Sequence, residues 1–161
     1  MSVYFTSDLH LGHKLASEKR KFSDIESHDN AVIESLKKTC NKKSVLFILG
    51  DIAMDEHKII RLDEVPGRKR IVLGNHDYAH YNYRNVCEHV YGIVKYKQYW
   101  LSHCPIHPQE MYRCVANIHG HIHKNSNSSE LGPPYINVNW DYWHRPVSLD
   151  EIRSLCDEFH R

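Results

Sequence analysis

The chain has 161 residues, enough for one domain with a single sizeable core. Apolar content of 41% and charged content of 25% fit an ordinary globular protein, and no apolar run approaches the roughly 20 residues that a membrane span needs. A formal net charge of +1 makes nucleic acid a lesser candidate as partner, and the basic clusters Lys19-Arg20-Lys21, Lys37-Lys38, Lys42-Lys43 and Arg68-Lys69-Arg70 read as solvated faces.

The first strand covers 3–7, an apolar run that stops at Asp8-Leu9-His10. Residues 11–28 are polar and basic and read as a loop or short helix over the strand end; His13 within it points either inward or to solvent. Asp29 or Asn30 can cap a helix over 31–40, where Val32, Ile33, Leu36 and Cys40 fall on one face. The second strand, 45–49, is apolar throughout, as in a parallel sheet covered on both faces, and runs into Gly50-Asp51. A second helix is predicted over 55–64, with Ile59, Ile60 and Leu62 partly buried, and Pro66-Gly67 is a turn. The third strand, 71–73, delivers Gly74-Asn75-His76-Asp77.

Residues 78–85 read as a loop or short helix. Strands over 86–94 and 98–102 flank a Tyr91-Gly92 break and a Lys95-Tyr96-Lys97 turn, and the second of them ends at His103. A strand over 116–119 runs into Gly120-His121-Ile122-His123, residues 124–134 form a flexible loop, and a further strand covers 135–138. The aromatic run Trp140-Asp141-Tyr142-Trp143-His144 reads as packing of the last strand against the sheet, with a stacking wall for a nucleobase or aryl group as the lesser reading. Ser148-x-x-Glu151 is a capping box that opens a final helix with the stripe Ile152, Leu155, Cys156 and Phe159.

Five cysteines, odd in number and without a CxxC pair, together with a start that shows no signal or transit pattern, suggest reduced thiols in a cytoplasmic protein. Cys104-x-x-His107 lacks a matching pair for a closed zinc site, so Cys104 reads as a small packing residue. Strands alternating with helices, then strands close together, predict a single α/β domain over 1–161 with a mixed sheet or a two-sheet core.

Five apolar runs thus end in His, Asp or Asn, and open α/β sheets bind their ligands at the C-terminal strand edge. Asp8, His10, Asp51, Asn75, His103, His121 and His123 offer carboxylate, amide and imidazole donors without a thiolate. Such mixed N/O sets suit Mn, Fe, Zn, Co or Ni, with Mn²⁺ foremost, over Ca or Mg. The set is too large for one tetrahedral ion and suits two divalent ions sharing a bridging carboxylate. Two such ions can lower the pKa of a shared water, hold it as hydroxide and polarise a phosphoryl group. On an ideal strand His121 and His123 point to opposite sides, one to each ion; otherwise the loop after Gly120 twists both inward.

Asp8-x-His10, Gly50-Asp51, Gly74-Asn75-His76-Asp77, Ser102-His103 and Gly120-His121-x-His123 resemble the five signature blocks of the calcineurin-like metallophosphoesterase superfamily, most closely its small bacterial and phage-type members. The resemblance implies a four-layer αββα sandwich of two mixed β-sheets flanked by helices. It also implies that Asp8, His10 and His123 hold one ion, Asn75, His103 and His121 the other, and that Asp51 bridges them. His76 would sit by the leaving group or a phosphate oxygen, with Asp77 orienting it, and in-line attack on phosphorus would follow. No cap domain fits within so short a chain, which favours small or accessible phosphoesters, nucleotides among them. The rival expectations are a non-catalytic scaffold of the same fold and a structural zinc module. Within the enzyme class a monoesterase, a cyclic-nucleotide diesterase, a nuclease and a protein phosphatase all stay open.

Overall fold

The computed structural model describes residues 1–78, 81–124 and 131–159. Its first sheet has the order β4-β3-β2-β1-β9. Here β1 (Val3–Thr6), β2 (Val45–Leu49), β3 (Arg68–Val72) and β4 (His89–Tyr91) run parallel, and β9 (Val147–Ser148) lies antiparallel to β1. The second sheet comprises β5 (Val94–Tyr96), β6 (Tyr99–Leu101), β7 (Ala116–His119) and β8 (Tyr135–Asn137), in that order, parallel except for the β5–β6 hairpin. The helices are α1 (Lys14–Lys19), α2 (Ile25–Thr39), α3 (Glu56–Ile59), α4 (Trp140–Trp143) and α5 (Leu149–Glu158). Among the described residues no helix is long and apolar enough to cross a membrane.

Two cores follow from the period-two alternation of the strands. Leu46, Ile48 and Ile71 face Val32, Ile33 and Leu36 of α2 in one. Phe5, Phe47, Leu49 and Val72 face Tyr99, Leu101, Ala116 and Ile118 of the second sheet in the other. Phe5 and Phe47 stack at 5.5 Å across the β1–β2 pair, whose side chains are in register. The α5 residues Ile152 and Cys156 close this inter-sheet core, and the Ser148–Glu151 capping box that starts the helix is present as expected. The outer face of the second sheet is covered by loop 104–111: Asn117 Oδ1 accepts from the Ile106 N–H, and Trp100 Nε1 donates to the Glu110 carbonyl. Among the described residues this side carries a short 3₁₀ turn, Pro108–Met111, where the four-layer expectation has a helix.

Several predicted boundaries move. The second helical element, α2, starts at Ile25, because Asp24 caps it by accepting from Ser27 N. Its first turn falls in the polar segment read as a loop or short helix, and Asp29, expected as a possible cap, lies inside the helix, where it and His28 are fully buried and paired with each other. The helix expected over 55–64 is the single turn α3 followed by a 3₁₀ turn, Ile60–Glu64. The third strand begins at Arg68, and Lys69, placed among solvated residues by sequence, is buried with Nζ donating to the Val65 carbonyl. Lys95-Tyr96, read as a turn, belongs to β5. The aromatic run 140–143 is helix α4. The centre of the loop predicted over 124–134, residues 125–130, lies outside the described residues, as do residues 79–80 of the segment 78–85. All five cysteines are free.

Candidate metal centre

The C-terminal ends of β1, β2, β3, β6 and β7 meet at one edge, and backbone bonds lace them. Asp8 N–H donates to Gly50 O, His10 N–H to Asp51 O, and Gly120 N–H to His103 O, each at 2.9 Å. Four residues expected as ligands sit in left-handed backbone: Asp8 (φ 56°), His10 (52°), Asp51 (53°) and His121 (67°). That conformation costs about 1 kcal/mol or more for a side-chain-bearing residue and concentrates at functional sites. Two glycines make the approach of the strand ends possible. A Cβ on Gly74 would land on Asp51, and one on Gly120 would land on Ser7 and the Asp8 carboxylate.

The donors form two clusters that share Asp51. In the first, His10 Nε2 is 3.3 Å from His123 Nε2, 3.9 Å from Asp8 Oδ1 and 3.7 Å from Asp51 Oδ2, and His123 Nε2 is 3.5 Å from Asp8 Oδ1. In the second, His103 Nε2 is 2.9 Å from Asn75 Oδ1, 3.4 Å from Asp51 Oδ1 and 3.2 Å from His121 Nδ1. Two donors bound to one ion at ordinary metal–N/O lengths lie about 3 to 4 Å apart, depending on the angle between them, so the spacing within each cluster is compatible with one coordination sphere. All seven sequence-predicted residues therefore lie at one strand edge, with Asp8, His10 and His123 on one side of Asp51 and Asn75, His103 and His121 on the other, and Asp8, Asp51 and His103 also within reach of one another.

Hydrogen-bond partners fix the orientation of two of the rings. His103 Nδ1 bonds the Leu49 carbonyl at 2.8 Å, and His123 Nδ1 bonds Asp141 Oδ2 at 2.6 Å. In its neutral form each ring would donate outward through Nδ1 and turn the Nε2 lone pair inward. Asp8 Oδ1 is buried without a hydrogen-bond partner. Burial pushes the Asp8 carboxyl up to about 6, and a cation beside it would offset that cost. Burial opposes the Asp51 charge too, but the His103 hydrogen bond and charge pull that carboxyl down to about 2. His103 is raised to about 8 against its own burial by the bond to Asp51, and burial holds His10 down at about 3. These donors fit hard or borderline divalent cations. One addition changes the chemistry expected: the exposed Cys104 thiol lies within 4.8 Å of the His103 and His121 donor atoms, so it is no packing residue and a soft ligand stands beside the second cluster.

His76 is next to this centre, its side chain 43% exposed and Nε2 3.9 Å from Asp51 Oδ2. His13 points inward, with its ring 5.4 Å from that of His10, and both rings line a cavity together with His76 and His123. Asp77 does not orient His76. Its carboxylate accepts the backbone N–H groups of Asp51 (2.7 Å), Ile52 (2.9 Å) and Gly74 (2.8 Å) and so ties the β2 and β3 loops together. The reason is the tight turn at 74–77, which sends adjacent side chains in different directions.

Two further residues hold the site, and the sequence reading missed both. Asp141 grips His123, and Arg20 grips Asp141 through Nε at 2.7 Å. Arg20 also donates to the Asp8 and Leu9 carbonyls and meets His28 Nε2. The only available signal was an Arg and an Asp among basic and aromatic neighbours, which marks neither. Trp140 is buried under Arg20, whose guanidinium lies 5.0 Å from the ring centroid. Trp140 thus packs under Arg20, in the wall of the cavity that His10, His76 and His123 also line.

No family model matches the chain. The Gene 66 protein of Mycobacterium phage L5 is 32% identical, with 99% of this chain and 96% of that protein aligned. The Gene 66 protein of Mycobacterium phage D29 is 31% identical over 98% and 96%. Among solved structures, the protein of unknown function AQ665 from Aquifex aeolicus matches with a TM-score of 0.77 and 26% identity, over 96% of this chain and 98% of that one.

Proposed function

This chain belongs to the family of the mycobacteriophage Gene 66 proteins, and we propose that it is a dinuclear metal-dependent phosphoesterase. The observation that carries the reading is Asp51, whose Oδ1 belongs to one donor cluster and Oδ2 to the other. Divalent ions held there supply Lewis-acid activation of water and neutralisation of phosphoryl charge. The chain's own residues do the rest. Asp8, His10 and His123 on one side and Asn75, His103 and His121 on the other position the ions. His76 reaches the open side of the centre as the proton donor to a departing oxygen. His13 shares its cavity.

The finer fold assignment, the metallophosphoesterase sandwich, rests on the two face-to-face mixed sheets with ligands at their common edge. The test is metal analysis coupled to a screen of Mn²⁺-loaded protein against phosphomonoesters, diesters and cyclic phosphoesters. Two ions per chain and chelator-sensitive hydrolysis are expected. A fully loaded protein that hydrolyses none of them would return the chain to a metal-binding scaffold.

A further inference from the structure

We propose that Lys19, Lys21 and Lys124 form a second anion subsite beside the metal centre, so that the substrate carries another phosphate or similarly charged group apart from the scissile one. This rests on the phosphoesterase reading above.

A cavity of about 660 Å³ opens from the first donor cluster, with His10, His13, His76 and His123 in its wall. Its lining holds four cationic side chains, Lys19, Arg20, Lys21 and Lys124, against one carboxylate, Asp141: an excess of three positive charges. The whole chain has an excess of one. Arg20 is not available to a ligand, because its guanidinium is committed to Asp141, His28 and two backbone carbonyls. The three lysines make up the remaining charge. Their ammonium groups have no carboxylate partner among the described residues, whereas Lys14, Lys37 and Lys58 each pair with a glutamate.

The clustering is built by the backbone. Successive residues of a helix point about 100° apart, so a regular helix would scatter Lys19, Arg20 and Lys21. Instead α1 ends at Lys19, and Lys21 adopts a left-handed φ of 61°, a strained conformation for lysine. All three consecutive residues then face one cavity. Lys124 comes from the opposite side, directly after ligand His123. Between these charges the wall is apolar, with Leu15 half exposed and Ala16 and Phe22 beside it. An ester with one anionic phosphoryl group is matched at the donor clusters alone; the unpaired lysines call for more negative charge, at the far end of a spacer that tolerates apolar contact.

The test compares alkanediol bisphosphates of increasing chain length with the alkyl monophosphates of equal length, using Mn²⁺-loaded protein and phosphate release. The bisphosphate should show about tenfold or greater advantage in kcat/KM at the best length, shrinking as salt is added. Lys19→Ala, Lys21→Ala and Lys124→Ala should each reduce that advantage, and the triple variant should abolish it. These side chains are exposed, so melting curves should confirm an intact fold. Equal kcat/KM for the paired substrates overturns the subsite, as does a proportional loss on both in the variants. If nitrophenyl phosphate and every alkyl ester go uncleaved with metals bound, the phosphoesterase reading fails instead. Calorimetric titration then decides the subsite: propanediol bisphosphate binding more tightly than propyl phosphate, with the difference lost in the triple variant, supports it, and equal binding overturns it.

Discussion

His123 can present Nε2 to the first cluster only because Asp141 holds Nδ1, and Asp141 is itself held by Arg20. Partners of this kind typically change metal affinity 10- to 100-fold when removed. Asp141→Asn should therefore weaken the first site about tenfold or more in a Mn²⁺ titration and leave the second largely intact; equal affinity at both sites would show that Asp141 is only packing. Asp51→Asn should be the most damaging single ligand change, because each of its carboxylate oxygens serves a different cluster. Asn75→Ala should weaken chiefly the second site, and metal stoichiometry in the two variants distinguishes them. His76→Gln should keep both ions and lose about 10²- to 10⁴-fold in rate on an alkyl phosphoester, with a smaller loss on a nitrophenyl ester. An equal loss on both would place His76 at the phosphoryl oxygens. The seven candidate ligands were legible because each follows an apolar run and is a metal-ligating residue type. Asp77 was misread because adjacency to His76 in sequence does not survive a tight turn, and Asp141 was invisible because its role exists only once α4 sets it against the loop after β7.

The strands were legible wherever both faces are buried, as in β2, since an unbroken apolar run has few other uses. The α2 start and β3 start were not, because burial there is achieved by pairing: His28 with Asp29 and Arg20, Lys69 with a backbone carbonyl. The sandwich depends on the contact between the sheets, and Phe47 sits at its middle against Phe5 and Tyr96. Phe47→Ala should cost about 3 to 5 kcal/mol in urea unfolding, and a loss below about 1 kcal/mol would mean that the inter-sheet core collapses around the gap. Gly120→Ala addresses the join rather than the core. Its added methyl meets Ser7 and Asp8, so metal affinity should fall before stability does.

Two buried histidines make the whole molecule sensitive to acid. Burial holds His119 at about 4 and His10 at about 3. Unfolded histidines titrate near 6.5, so between roughly pH 4 and 6.5 these two positions bind more protons in the unfolded chain than in the folded one. Their contribution to the stability of the chelated protein should therefore be lost as pH is lowered through that window, while Asp8, raised to about 6, takes up a proton in the folded state and offsets part of the loss. His119→Gln should remove up to about 3 kcal/mol of the drop, read from urea midpoints across that pH range; an unchanged pH profile would mean that His119 does not contribute. The site has a last consequence for how the chain reaches its final form. The bond from the His121 N–H to Asp8 Oδ2 joins residues 113 apart, and the first cluster combines Asp8 with His123. Neither sheet alone contains a complete donor set, so on the metal-centre reading tight metal uptake should require that both halves of the chain have arrived. A nascent or truncated chain ending before β7 should pick up no tightly held ion, and in refolding Mn²⁺ binding should appear last, as a proofreading signal for the finished molecule.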